Sequence, residues 1–294
     1  MTKPLILVDS LGKSIKGKSI LNDISFEVRE GDCLALIGPN GSGKTSLMSC
    51  LLGDWLPSQG QVLVKGKSPR SQTSHGQMAL LAQENEIPAN LKVKELLDFF
   101  KSIAKNPLSN QEIDKLLDFS SEQKQQLAGK LSGGQKRLLS FVLCLIGKPE
   151  ILFLDEPTAG MDTSTRQHFW EIVAGLKKSG TTIIYSSHYI EEVEHTAERI
   201  LVLHKGKLLR DTTPFAMRSE EQEKQVTLSK TFQEIVQALP NVYDIQEKSD
   251  TIQFMTKDID RVWQDLQEAG CRISDLEVQN KTLLNSLFDS TKED

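Results

Sequence analysis

Apolar runs at Cys33–Ile37, Ile151–Leu154, Thr182–Tyr185 and Ile200–Leu203 show little polar alternation, the pattern of strands buried on both faces. Helical spacing appears between them, at Lys44–Leu52, Gln135–Ile146 and Ser164–Lys178. This alternation predicts an α/β core around a mostly parallel sheet. The first thirty or so residues differ: Ile6–Val8 and Ile20–Val28 read as short antiparallel strands, with Gly17 and Lys18 at a turn. Met78–Leu81 reads as a further strand. Between residues 84 and 130 no strand signal appears. Val93–Ala104, Gln111–Phe119 and Ser121–Ala128, rich in Lys, Gln and Leu, read instead as a small helical subdomain.

The character changes again after Asp211. Arg218–Lys224 is charged and without apolar periodicity, which suits a linker. A strand (Gln225–Leu228), a helix (Thr231–Leu239), two strands (Val242–Glu247, Thr251–Thr256), a helix (Ile259–Ala269), a strand (Arg272–Val278) and a last short helix (Thr282–Asp289) follow. The order β-α-β-β-α-β is that of a small α+β ferredoxin-like domain. The expected division is therefore 1–215 and 216–294.

Composition narrows the class. With 38% hydrophobic and 26% charged residues the 294-residue chain has the make-up of a folded globular protein rather than a disordered one. Its net charge of −5 argues against nucleic acid as the main partner. The most apolar stretch, Leu138–Gly147, is half the roughly twenty residues a membrane-spanning helix needs. If the protein works at a membrane, another polypeptide must cross it. Cys33, Cys50, Cys144 and Cys271 are scattered, without CxxC or Cys/His spacing, and read as reduced thiols rather than a zinc site or a disulfide framework.

The strongest chemical signal is Gly38-Pro39-Asn40-Gly41-Ser42-Gly43-Lys44-Thr45, which fits G-x-x-x-x-G-K-[ST] between an apolar strand and a helical run that begins with Ser46. Glycines let backbone N–H groups face an anion, and the helix N-terminus adds partial positive charge. Lys44 is placed to reach the β- and γ-phosphates and Thr45 to ligate Mg²⁺. A second metal ligand is expected at the end of another buried strand, where Ile151–Leu154 leads into Asp155. Glu156 comes next and is free to polarise a water for in-line attack on the γ-phosphate.

Leu131-Ser132-Gly133-Gly134-Gln135 resembles the signature motif of ATP-binding cassette (ABC) proteins, and with it a family becomes visible. The resemblance implies a P-loop NTPase cassette. In that family the signature of one subunit, here Ser132, Gly133, Gly134 and Gln135, acts in trans on ATP held by a second subunit. It further implies that Gln83 contacts Mg²⁺ and the attacking water and that Asp162, in Ala159-Gly160-Met161-Asp162, belongs to the D-loop. His188 then takes the place of the switch histidine on the γ-phosphate. Ala159 and Met161 are mild departures from the usual D-loop. At the position where the family often stacks an aromatic residue on adenine stands Ile15, which offers apolar contact but no π-face.

The resemblance covers residues 1 to about 215 and implies an ATP-hydrolysing subunit that dimerises around two ATP and drives a transporter. ATP and Mg²⁺ are the cofactors it implies. The partners it implies are separate membrane-spanning permease subunits and a second cassette subunit, with a homodimer the simplest case and a heterodimer the alternative. The place is the cytoplasmic face of the cell membrane, as a peripheral protein. The segment Asn85–Phe100, with Ile87, Leu91 and Val93 taken as exposed, is the candidate permease-docking groove. The C-terminal part, ending in Thr282–Phe288, is similar to the appendage of exporter ATPases for drugs, antimicrobial peptides and related amphiphiles. The rival readings are a soluble cassette ATPase acting on DNA, ribosomes or an assembly complex, and a regulatory or scaffolding cassette. One cassette, no coiled-coil or zinc insert and an acidic balance disfavour the first rival. Intact Lys44, Asp155, Glu156 and His188 disfavour the second.

Overall fold

A computed structural model describes residues 3–71, 77–84, 87–187, 190–219 and 223–280. The chain divides into two compact units, Met1–Thr212 and Thr213–Asp294. In the first, β1 (Ile6–Ile15) and β2 (Lys18–Val28) form an antiparallel sheet with β4 (Gln59–Val64), in the order β2-β1-β4. A second sheet of six strands has the order β5-β6-β7-β3-β8-β9, from β3 (Cys33–Ile37), β5 (Met78–Leu81), β6 (Ile151–Leu154), β7 (Thr182–Ser186), β8 (Arg199–His204) and β9 (Lys207–Thr212). Its pairs are parallel except the β8–β9 edge. Every residue of β3 and β6 is buried, as their unbroken apolar runs require.

One hydrophobic cluster joins the two sheets. Ile6, Leu21, Val28 and Val64 from the first pack with Leu34, Phe153, Ile184 and Leu201 from the second, and with Leu47 and Leu51 of helix α1 (Lys44–Leu52). On the far side, α5 (Gly133–Leu145) and α6 (Thr163–Lys178) reach β7 through a run of rings. Phe141 lies 4.4 Å from Phe169, and Trp170 lies 5.2 Å from both Phe169 and Tyr185. Such pairs add about 0.5–1.5 kcal/mol each beyond area burial. The same flank ends in α7 (Ile190–Thr196), which precedes β8.

Local chemistry explains where the elements depart from expectation. β1 runs on to Ile15 because Asp9-Ser10 forms a bulge rather than a break. Ser10 takes φ 48° and its N–H donates to Ser25 Oγ at 2.8 Å, after which pairing resumes. The turn is Lys16-Gly17, at φ 49° and 81°, so Lys18 already belongs to β2. Two unexpected strands, β4 and β9, begin at polar residues and are half exposed, so neither shows an apolar run. β9 follows Lys205-Gly206, again with both φ positive at 45° and 76°. A two-residue hairpin of this kind needs exactly that sign at both positions.

The helical insert contains α2 (Val93–Ile103), α3 (Asn110–Leu117) and α4 (Ser121–Gln125). The third helix stops short of the expected Ala128. Gln126 and Leu127 turn extended to bridge to Lys92, and a 3-10 turn takes Ala128–Lys130. Val93 is fully buried, contrary to its reading as an exposed groove residue, and its N–H donates to Gln126 O at 3.1 Å.

In the second unit α8 (Pro214–Ser219) precedes β10 (Lys224–Ser229), and residues 220–222 of the expected linker lie outside the described residues. The antiparallel sheet order is β11-β12-β10-β13, from β10, β11 (Val242–Glu247), β12 (Thr251–Thr256) and β13 (Leu276–Asn280). Val226, Leu228, Ile252 and Phe254 pack with Val236 of α9 (Gln233–Ala238) and with Val262 and Leu266 of α10 (Ile259–Glu268). The last strand starts later than expected, since Ile273–Asp275 forms a 3-10 turn in which Asp275 accepts from Arg272 N. The expected helix Thr282–Asp289 lies outside the described residues. Among the described residues no helix is long and apolar enough to cross a membrane.

Candidate functional site

Parallel pairing in register brings several chain segments to one edge of the large sheet. Leu36 of β3 lies beside Ser186 of β7, and Leu154 of β6 beside both Tyr185 and Leu81. The segments that follow β3, β5 and β6 therefore leave the sheet together, at the strand ends where ligands bind in such folds. A cavity of about 730 Å³ opens there, and its lining includes Asn40, Gly41, Lys44, Gln83, Asp155 and Glu156.

The loop after β3 is shaped by close approaches. Gly43 sits at φ 108°, and a Cβ there would stand 2.7 Å from Leu21 Cδ2. It N-caps α1 without a side chain to accept from the helix, so the first amides of α1 keep their donors for an anion in the cavity. Lys44 is nearly buried and its Nζ donates to Gly38 O at 2.7 Å and to Pro39 O at 3.3 Å, across the mouth of the loop. Burial pushes its pKa down, while Glu156 and Asp155 oppose that shift.

Thr45 Oγ1 donates to Asp155 Oδ2 at 3.0 Å. A hydroxyl and a carboxylate at that spacing fit Mg²⁺, which takes few protein ligands and completes its shell with water and phosphate oxygens. No cluster of three or more His, Cys, Asp or Glu suited to a metal occurs among the described residues. The other oxygen, Asp155 Oδ1, accepts from Ser186 Oγ at 2.5 Å, and Ser186 Oγ in turn accepts from Glu156 N at 2.8 Å. Glu156 has φ 46°, a left-handed backbone conformation, and lines the same cavity.

Other expected residues fall elsewhere. Ser132 N-caps α5: its hydroxyl accepts from Gln135 N at 3.2 Å, and Gln135 Oε1 accepts from Ser132 N at 3.0 Å. Ser132 and Gly133 are exposed, and none of Ser132, Gly133, Gly134 and Gln135 lines the cavity. A Cβ on Gly134 would stand 3.4 Å from Asp162 Oδ2, so the segments expected to be the signature and the D-loop lie against each other. Asp162 N-caps α6 and accepts from Thr165 N, Ser164 Oγ and Thr165 Oγ1, which hold its carboxyl well below the usual carboxylate range. Ile15 is 38% exposed at the end of β1 and does not line the cavity, whereas Lys18, Ser19 and Ile20 do. His188 lies outside the described residues.

Several residues escaped sequence reasoning. Lys18, Ser19 and Ile20 line the cavity from the start of β2, and Lys205 lines it from the turn before β9; Lys-Gly at 16–17 and 205–206 was the available signal. Ser186 had none, being one more residue at the end of a buried run. Arg137 was visible only as a charge at the head of an apolar helix.

A family model described as ABC transporter matches residues 21–159. A Nod factor export ATP-binding protein I from a Rhizobium species is 33% identical over 283 residues, with 93% of each chain covered. Its counterpart from Mesorhizobium japonicum is 30% identical over 280 residues, covering 91% of this chain and 82% of its own. The fold is shared with the solved ATP-binding subunit of an ABC transporter, at TM-score 0.66 and 24% identity over 74% of this chain and 92% of that one. An Atm1-family exporter with ATP bound matches at TM-score 0.65 and 24% identity, over 75% of this chain and 40% of that one.

Proposed function

Because the chain belongs to the ATP-binding proteins of ABC transporters, which are ATPases that drive transport, we propose that it powers export through separate membrane-spanning subunits. Export rests on the relatives, which are named for the export of Nod factors. Residues 1–215 are the nucleotide-binding domain. Residues 216–294 are an accessory domain read as ferredoxin-like, and a sheet in which the first and second strands flank the third, with the fourth beside the first, supports that class. The place of action is the cytoplasmic face of the membrane.

The observation that carries the reading is the Thr45–Asp155 pair at 3.0 Å, set beside Lys44, Gln83 and Glu156 at one cavity. In the proposed mechanism the loop Gly38–Thr45 and Ser46 bind the phosphates through backbone amides, and Lys44 swings from the Gly38 and Pro39 carbonyls onto the β- and γ-phosphates. Thr45 and Asp155, with Gln83 lining the same cavity, would hold Mg²⁺, which would supply neutralisation of phosphate charge. Glu156 accepts the proton of the attacking water. His188 contacts the γ-phosphate, and Ile15 lies against the base. Ser132 to Gln135 act on the nucleotide of a second cassette subunit, for which the exposure of Ser132 and Gly133 is suited, and Asp162 belongs to the D-loop beside them.

The permease contact is proposed at an apolar groove of about 520 Å³ whose lining includes Ile87, Leu91, Leu96, Phe99 and Leu143. Phe99 and Ile103 of α2 are more than half exposed beside it. A short amphipathic helix of the membrane subunit fits such a groove.

Affinity purification from detergent-solubilised membranes, comparing wild type with Glu156→Gln in Mg-ATP, tests the reading. The Gln side chain keeps nucleotide binding but cannot take the proton, so a closed dimer accumulates. Co-purification of a polytopic membrane protein is expected. Recovery of ribosomes or soluble assembly factors in its place overturns the transport assignment.

A further inference from the structure

Arg137 lies at the fifth position of α5 and is only 8% exposed. A guanidinium carries five N–H groups in one plane and accepts nothing. Here each has a backbone carbonyl to meet. Nε donates to Pro157 O at 3.0 Å. Nη1 donates to Ala82 O at 2.5 Å and Gln83 O at 3.2 Å. Nη2 donates to Asp155 O at 2.8 Å and Glu156 O at 3.1 Å. Among the described residues Arg137 forms no ion pair with a carboxylate.

The choice of acceptors is the informative point. One pair lies just past β5, in the segment that carries Gln83. The other three lie just past β6, in the segment that carries Asp155 and Glu156. These segments are more than seventy residues apart in sequence, and a single planar group spans them. Glu156 needs such a hold, since a non-glycine residue in a left-handed turn persists only where its surroundings impose it. Core packing would be served by a leucine, like the two residues that follow Arg137, without the burial of a charge.

We propose that Arg137 is a positioning residue for ATP hydrolysis: its guanidinium clamps the carbonyls of 82–83 and 155–157 in one plane and sets the distance between the backbones carrying Gln83 and Glu156. The proposal rests on the hydrolytic reading given above. The clamp sits on the helix that Ser132 caps, so a rigid element links the signature end to both hydrolytic loops of its own chain. Lysine retains the charge but has three donors on one atom and cannot reach both segments in this geometry.

The test compares wild type, Arg137→Met, Arg137→Lys and Glu156→Gln in the full chain. Sites are counted and ATP affinity is measured by titration with a fluorescent ATP analogue, and kcat and KM are measured by phosphate release. Arg137→Met is expected to keep its affinity within about threefold and to lose about 30- to 100-fold in kcat per binding site, the scale of a reacting group misplaced by an ångström. Arg137→Lys is expected to fall between the two, and it decides the matter if the Met variant does not fold. Unchanged kcat per site in both variants overturns the proposal. So does a loss of activity that merely follows a loss of binding sites. If Glu156→Gln is inert while Arg137→Met turns over normally, the clamp alone fails. If Glu156→Gln turns over like wild type, the hydrolytic reading itself fails.

Discussion

Replacing Ser186 by Ala removes one oxygen that serves two masters. The side chain is fully buried at the C-terminal end of β7, donates to Asp155 Oδ1 at 2.5 Å and accepts from Glu156 N at 2.8 Å. Loss of a hydrogen bond to a charged group costs about 1.5–3 kcal/mol, and an orphaned buried N–H costs about 1–3 kcal/mol. The two losses share one atom and local relaxation, so the expected total is about 3 kcal/mol, near the lower end of their sum. For a unit of this size that lowers the melting temperature by roughly 6–12 °C.

The other end of the same strand supplies the control. Among the described residues Thr182 Oγ1 accepts from Gly31 N alone, at 2.9 Å, at the strand end opposite the cavity. Thr182→Val removes one neutral bond at nearly constant shape, about 1 kcal/mol or roughly 2–4 °C. Calorimetry of the nucleotide-free proteins and steady-state phosphate release together separate the two variants. Ser186→Ala is expected to melt markedly lower and to lose at least about tenfold in kcat, because Asp155 and Glu156 both lose their anchor. Thr182→Val keeps wild-type turnover. The reasoning fails if Ser186→Ala melts within about 2 °C of wild type with undiminished turnover, or if Thr182→Val loses as much activity.

Three further outcomes can be checked. The Asp162 carboxyl, with its pKa depressed by three local donors, is expected to stay ionised where ordinary aspartates are half protonated, near pH 4 or about 3.9. Its contribution to the start of α6 is therefore present above the ordinary aspartate range and is lost only as pH falls through the depressed value; a carboxyl-carbon NMR titration with an ordinary midpoint refutes this. On the proposal that Ile15 lies against the base, GTP and ATP are expected to turn over comparably, and Ile15→Tyr is expected to raise ATP affinity by the roughly 1–3 kcal/mol of base stacking; strong ATP preference in the wild type sinks the idea. Phe99→Glu, at a ring 57% exposed beside the apolar groove, is expected to abolish co-purification of the membrane subunit with nucleotide affinity intact; retained co-purification moves the contact elsewhere.

Much of the cassette was legible before any coordinates. The bounds of β3, β6 and α1 agree residue for residue with their sequence patterns, because continuous apolar runs and glycine-flanked helices are local physics. The candidate phosphate loop and the Asp155-Glu156 pair stood out for a related reason: each is a run of contiguous residues next to a strand end. β4 and β9 were not, since a half-exposed strand shows its nature only when its neighbour is in place. The same holds for β1, whose bulge at Ser10 needs Ser25 to satisfy the displaced N–H.

Local patterning thus specified which segments are strands and helices and which residue types could hold phosphate and metal. Strand order, and with it the meeting of distant groups, came from closure of the chain. Thr45 finds Asp155 across 110 residues, and Ser186 finds Asp155 across 31, because β3, β6 and β7 lie side by side in parallel register. Arg137 shows the limit most clearly. Its sequence neighbours mark a charge heading a buried helix, but its five acceptors are backbone carbonyls, which carry no residue signature and exist as a set only once both loops are folded against the helix.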